Sequence, residues 1–148
     1  MARPILNYTT SISVEKTVAE IQKALSQHDG IQILTSYSGG ILSSISFRLS
    51  TKHGLLSFLL PAKIDNIQRV LENSRVTAKL KTREQAARVA WRIIKDWIEA
   101  QMALVQADQV TMEEVFLPFL QDTSGKTLYS LLEAKKFSGL ALPEPKTL

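Results

Sequence analysis

Six basic side chains between positions 75 and 92 are the residues whose type and spacing could do the clearest chemistry. They are Arg75, Lys79, Lys81, Arg83, Arg88 and Arg92. Ammonium and guanidinium groups bind phosphate oxygens, and several such contacts give nucleic-acid affinity that is sensitive to salt and indifferent to base sequence. The pattern predicts a phosphate-binding track that begins on a flexible loop and continues along a helix, whose N-terminus favours anions.

The distribution of charge separates this window from the rest of the chain. Residues 75–95 contain seven basic residues and one acidic residue, and residues 96–148 contain four basic and eight acidic residues. Two alternatives to a phosphate-binding track stay open. The window could be the solvated side of a structural helix, since Glu84 precedes Arg88 by four residues, as in a helical ion pair. It could also meet the acidic third of a second subunit or another protein.

A small polar segment, "SYSGG" at 36–40, is a second candidate site. Its backbone N–H groups and hydroxyl groups could hold a small anion, and a tyrosine ring could stack on a base. The residues concerned are Tyr37, Ser38, Gly39 and Gly40. Glycine-rich polar segments between strands are more often hairpin turns. A small-nucleotide site is therefore an alternative function, and a turn is the simpler interpretation.

The sequence lacks the residues or motifs that several classes of enzyme and metal site require. The sequence has no cysteine, which excludes a thiolate metal site and a cysteine nucleophile. The segment "TSGKT" at 123–127 ends like a phosphate-binding loop, but Leu120 stands where that motif requires its first glycine. His28 and His53 lie near glycines at the expected ends of elements, and no H-E-x-x-H or G-x-S-x-G motif occurs. We therefore expect a non-enzymatic protein without a metal or a cofactor.

The length and composition predict one domain, residues 1–148. Apolar residues make up 45% of the 148 residues and charged residues 22%, which is an ordinary balance for a globular protein. No stretch approaches the roughly 18 consecutive apolar residues of a membrane span, and the first residues lack the apolar run of a signal peptide. The sequence predicts a cytoplasmic protein without membrane contact.

Local patterns predict the elements that must position these side chains. Two short turns separate three alternating segments, which indicates an antiparallel meander. The predicted elements are strand 4–12, helix 14–28 capped by Ser13, strands 31–37, 41–50 and 55–61, helix 65–72, basic loop 74–82, helix 83–107, short helices near 111–117 and 128–137, and a tail 138–148. The order β-α-β-β-β-α, followed by helices, predicts an α+β fold with helices on one face of the sheet.

The helix 83–107 carries more apolar residues than a single face needs. Ala86, Ala90, Ile94 and Trp97 follow one side, and further apolar residues widen the arc. Those further residues are Val89, Trp91, Ile98 and Met102. Such a helix is buried on more than one side, by its own domain or by another subunit. The pattern places Trp91 in the core rather than on a nucleic-acid base.

The order helix, three-stranded meander, helix over 14–73 is similar in topology to the double-stranded-RNA-binding domains. That family has a lysine-rich motif at the start of its second helix. The corresponding segment here reads "LPAKIDNIQRVL", with Lys63 alone and Asp65 beside it. The resemblance therefore implies a topology and no phosphate-binding residues.

Two longer segments resemble small uncharacterised proteins of phage and prophage genomes. They are "PILNYTTSISVEKTVAEIQKAL" (4–25) and "REQAARVAWRIIKDWIEAQMALVQADQVTMEEVFLPFL" (83–120). This resemblance implies a phage or bacterial origin, hence the cytoplasm of a bacterial host, and it implies no activity. A binding protein, an oligomeric accessory protein and an inhibitor of a host protein are all compatible with it.

Overall fold

The computed structural model describes residues 3–145 and confirms the α+β class. Five helices and three strands follow one another in this part of the chain. They are α1 (Val14–Gln27), β1 (Gly30–Ser38), β2 (Ile41–Thr51), β3 (Gly54–Pro61), α2 (Ile64–Glu72), α3 (Arg83–Gln106), α4 (Met112–Phe116) and α5 (Leu128–Ala134), with 3-10 turns at Ala78–Leu80 and Leu117–Phe119. Residues 1–2 and 146–148, which the predicted domain and tail include, lie outside the described residues.

The predicted first strand is wrong, because residues 6–9 form turns and the remainder of 4–12 has no regular secondary structure. Asn7 has a φ of 65°, which a strand does not contain. The segment lies along α3, where the Gln85 side chain donates hydrogen bonds of 2.9 Å to the carbonyls of Tyr8 and Thr10. Asn7 donates to Asp96 at 2.8 Å. Side chains of the helix thus satisfy backbone groups that a neighbouring strand would otherwise satisfy.

The three strands form the predicted antiparallel meander in the order β1-β2-β3. Gly39 and Gly40 make the first turn, both with positive φ, so the segment 36–40 consists of the end of β1 and the predicted hairpin turn. On β2, buried Ile45 and Phe47 alternate with more exposed residues. One face of the sheet is therefore packed against helices, and the residues of β2 that alternate with these two lie on the opposite face.

Helix α1 begins and ends where the sequence indicates. Ser13 caps it by accepting a hydrogen bond from the Lys16 N–H. Gly30 follows the helix, and the left-handed conformation at this helix end belongs to Asp29, with a φ of 70°. A Cβ atom on Gly30 would lie 2.7 Å from the Leu25 carbonyl oxygen. This glycine allows a close approach of two backbone segments.

Helix α3 is the central element, and the prediction that it is buried on several sides is confirmed. Trp91 is fully buried, and its indole N–H donates a 3.0 Å hydrogen bond to the Leu42 carbonyl of β2. Helices α1 and α2 pack on α3 as well. The capping Thr82 accepts from the Gln85 N–H, while the Gln85 side chain contacts the N-terminal segment instead of completing a capping box.

The C-terminal segment closes one end of the core. Thr111 and Glu114 form a capping box at the start of α4. Phe116 is fully buried and packs edge-on against Phe47 and Trp97, with ring centroids 5.0 and 5.7 Å apart. None of the helices formed by the described residues has both the length and the apolar character that crossing a membrane requires.

Candidate phosphate-binding surface

The loop between α2 and α3 is held against α2 at both of its ends. Buried Ser74 donates its hydroxyl to the Val70 carbonyl. At the other end, Gln68 donates to the Lys81 carbonyl at 3.3 Å, and the Lys81 ammonium donates to the Glu72 carbonyl at 3.3 Å. The sequence predicts a flexible loop, but these contacts fix where it leaves the last turns of α2 and where it returns to them.

The two fixed ends of the loop lie at the C-terminal half of α2, and the loop between them carries Arg75 and Lys79. Arg75 and Lys79 are exposed, and Lys81 is half-buried. Arg69 on α2 is exposed too. These residues, Arg69, Arg75, Lys79 and Lys81, are called the basic surface below. Glu72 is the acidic residue within the segment 66–81 that carries them, so the surface is strongly positive.

Sequence reasoning missed Arg69, since this residue stands six positions before the basic window. A signal was nevertheless present: Asp65, Arg69 and Glu72 recur at helical spacing, so they share one side of α2. Arg83 pairs with Asp65 across the α2–α3 contact, which places the start of α3 beside that same side. Arg83 therefore adjoins the basic surface, with part of its charge already matched.

The pKa of Asp65 is affected by two neighbouring cations. The hydrogen bond from Arg83 and the charge of that guanidinium hold the pKa of Asp65 below its usual value, and the charge of Arg69 lowers it further. Both partners of the Arg83–Asp65 pair are largely exposed. Exposed ion pairs contribute little to stability, so an incoming phosphate group could compete with Asp65 for Arg83.

The sequence predicts that Arg88 and Arg92 extend the track along α3. In the structure, both side chains bind other residues of the protein. Arg88 is half-buried, and its Nε donates to the Gln85 side chain at 2.9 Å. Arg92 has a side chain only 14% exposed, and its Nη1 lies 2.8 Å from Glu20 Oε2. Arg92 is therefore held in an ion pair and Arg88 is only partly exposed, so neither residue is included in the basic surface. The fully buried Trp91 is likewise unable to stack on a base.

Glu20 and Arg92 belong to an ion-pair network between α1 and α3. Lys95 adds contacts of 3.5 Å to Glu20 and 2.8 Å to Glu99. Burial raises the pKa of Glu20, but the hydrogen bonds and charges of Arg92 and Lys95 outweigh it, so the pKa of Glu20 lies below its usual value. Arg92 and Lys95, two cations of the basic window, thus link α3 to α1.

The lowered pKa predicts how Glu20 contributes to stability as pH changes. A carboxyl group with a lower pKa in the folded state stabilises the fold above its unfolded pKa, and this contribution disappears as pH falls through the folded pKa. We expect Glu20→Gln to lower the free energy of unfolding at neutral pH and to lose that effect below about pH 4. Urea unfolding of both proteins at several pH values measures the difference, and an equal difference at neutral and acid pH would contradict the assignment.

The hairpin turn between β1 and β2 lies beside the start of α3. A cleft of about 200 Å³ on one side is lined by Tyr37, Gly40 and Arg88 together with Glu15 and Glu84. A second cleft, of about 320 Å³, brings Ser38 close to Lys63, Asp65 and Arg83. The structure thus brings the two sequence candidates, the small polar loop and part of the basic window, into one region. The first cleft has one cation against two carboxylates and the second has two cations against one carboxylate, so both are less positive than the basic surface, which we favour as the place for a phosphate.

The segment 121–127 forms a closed turn, in agreement with the sequence argument against a phosphate-binding loop. The Asp122 carboxylate accepts hydrogen bonds of 2.9 and 3.0 Å from the backbone N–H groups of Ser124 and Lys126. These bonds and that of the Ser124 hydroxyl hold the pKa of Asp122 below its usual value. The carboxylate therefore takes two of the donors that a phosphate group would need.

Within residues 3–145, no group of three or more histidine, aspartate and glutamate side chains has an arrangement that could hold a metal ion. His53 lies in the turn between β2 and β3, and His28 caps the end of α1.

No family model matches the chain, and no significant match was found among curated proteins or solved structures.

Proposed function

We propose that this is a non-enzymatic protein that binds the phosphate backbone of nucleic acid through the basic surface. The surface would position the protein on the polyanion without reading base sequence, because its side chains are long, charged and suited to phosphate oxygens rather than to base edges. A phage-type origin and a location in the cytoplasm of a bacterial host belong to the same proposal, and they rest on the two resembling segments 4–25 and 83–120.

The single observation that carries the proposal is the loop that is held against α2. Gln68 and Glu72 bind Lys81 next to the helix, so the loop that carries Arg75, Lys79 and Lys81 begins and ends beside the helix that carries Arg69. Ordering cations in advance lowers the conformational entropy that binding would otherwise cost. If this surface were only the solvated side of a structural element, nothing would require several cations to lie together with a single acidic residue among them.

The experiment that tests the proposal is fluorescence anisotropy with labelled single-stranded and double-stranded DNA and RNA of two unrelated sequences. We expect binding at low salt, with similar affinities for the two sequences within each type of nucleic acid. A preference among the four types would name the physiological class of substrate. Absence of binding to all probes at low salt, or an affinity set by base sequence, would contradict the proposal.

A further inference from the structure

The two edges of the sheet differ in how they are protected. Residues 120–121 cover the outer edge of β3, where the Gln121 N–H donates to the Ser57 carbonyl at 2.8 Å and Leu120 forms a bridge with Phe58. Strand β1 has β2 as its sole neighbour within the described residues. Its outer edge therefore offers unpaired backbone donors and acceptors.

Strand β1 lacks most of the features with which proteins block a free edge. Its sequence "GIQILTSYS" contains no charged residue and no proline. A register shift between Ile31 and Leu34, with Gln32 at a φ of 51°, interrupts the first part of the strand. A second register shift, between Ser36 and Tyr37, comes from an extra residue on β2, Ser43, so residues 34–38 of β1 itself continue without an inserted residue up to the turn. Across residues 3–145, no backbone hydrogen bond from outside the sheet reaches this five-residue segment.

Exposed apolar side chains accompany this free edge. Leu34 is 61% exposed and Tyr37 is 62% exposed. Leu34 pairs with Ser46 of β2, which alternates with buried Ile45 and Phe47, so Leu34 lies on the face of the sheet that the helices leave open. The edge thus combines main-chain hydrogen-bonding groups with apolar surface, as strands that accept another strand do.

We propose that residues 34–38 pair antiparallel with the same residues of a second copy of this chain, so that two three-stranded sheets form one sheet of six strands. A second copy fits this edge for a physical reason. A two-fold axis places the residue on the axis opposite its own equivalent, and like charges there would repel. This segment carries no charge, so its self-pairing meets no such penalty.

A two-fold axis near Ser36 would also give favourable side-chain pairs. Thr35 would then lie opposite Tyr37 of the second copy, and aromatic residues pair well with β-branched ones across strands. Five residues form a small contact compared with the roughly 800 Å² per partner of a standard interface. We therefore expect a reversible dimer with a dissociation constant in the micromolar range.

Sedimentation velocity over a range of protein concentrations tests the proposal. The expected result is a shift from the 16.5 kDa monomer towards twice that mass as the concentration rises, with little change on adding salt. Ser36→Lys should abolish the shift, because the two-fold axis would bring two lysine side chains opposite each other, and it should leave the melting temperature almost unchanged, because residue 36 is exposed. The matched control is Leu55→Lys on β3, which is 53% exposed and distant from the free edge in the strand order, and it should dimerise like the unmodified chain.

A monomer at all concentrations would overturn the proposal, as would a dimer that Ser36→Lys leaves intact. A dimer that dissociates in salt would point instead to contact between the basic and acidic parts of two copies, and it would overturn the proposal too. The absence of cysteine allows a direct readout. Ser36→Cys should form an intermolecular disulfide on oxidation, because paired strands bring Cα atoms within the roughly 4.4–6.8 Å that a disulfide requires. Ser50→Cys, exposed on β2, is its control.

Discussion

Replacing Trp91 by alanine is expected to lower the free energy of unfolding by about 3–5 kcal/mol, the usual cost of removing a large buried aromatic side chain. The Trp91 side chain has no exposure to solvent. It lies where α3 crosses β2, so the cavity would open between the sheet and the central helix. Chemical denaturation of the two proteins measures the difference. Because most domains have about 5–15 kcal/mol in total, this variant should be close to unfolding.

The variant Trp91→Phe separates packing from hydrogen bonding at the same site. Phenylalanine keeps most of the volume but removes the indole N–H that donates to the Leu42 carbonyl at 3.0 Å. A buried acceptor left without a partner costs about 1–3 kcal/mol. We therefore expect a stability between those of the unmodified chain and of Trp91→Ala. A loss below about 1 kcal/mol for Trp91→Ala would show that this residue is not in the core.

Reversing two charges of the basic surface is expected to weaken nucleic-acid binding by about a hundredfold or more. In Lys79→Glu/Lys81→Glu, two cations near phosphate groups become anions. A hydrogen bond to a charged group contributes about 1.5–3 kcal/mol, and each 1.4 kcal/mol is about tenfold in affinity. Lys81 also contacts the Glu72 carbonyl through its ammonium group, so the melting temperature of the variant should be compared as well.

The matched control is Lys16→Glu/Lys23→Glu, which changes the net charge by the same amount. Both lysines are exposed on α1, and neither contributes to the basic surface. We expect only the modest loss in affinity that follows from a lower net charge. Equal losses in the two double variants would mean that nucleic acid responds to overall charge, and the basic surface would then have no special role.

Much of the fold could be predicted because local signals and tertiary packing agree. The serine cap of α1, the turns at 39–40 and 52–53, and the capping box of α4 are all local features, and all are formed. The segment 4–12 shows where this agreement fails. Its residues favour a strand, but the Gln85 side chain binds its carbonyls, and that contact joins positions far apart in the sequence, which a local pattern cannot reveal.

The most buried face of helix α3 could not be predicted from the sequence either. The periodicity favours the stripe through Ala86, Ala90, Ile94 and Trp97, yet Ile94 and Trp97 are only half-buried. Residues that are expected only to widen the arc are fully or almost fully buried, namely Val89, Trp91, Ile98 and Met102. The helix has neighbours on several sides, so hydrophobic periodicity alone could not decide which side faces the sheet.

The candidate site was predictable in type but not in membership. Sequence identified an excess of cations and their place before and within α3. It could not show that Arg92 meets Glu20, because that pair joins two helices. It also did not include Arg69, which stands before the basic window on α2. The loop that carries the other cations meets α2 only when it folds back on that helix. Ion pairs between elements decide which cations remain available, and they depend on tertiary structure.

The measurement that tests the central claim most directly is the dependence of duplex-DNA affinity on salt concentration. If the four cations of the basic surface each contact one phosphate, the logarithm of affinity should fall against the logarithm of salt with a slope of about −3.6, since each contact contributes about −0.9. The double variant Lys79→Glu/Lys81→Glu should reduce the magnitude of the slope to about 1.8 or less. A slope near zero, or one that the double variant leaves unchanged, would contradict the proposed phosphate-binding surface.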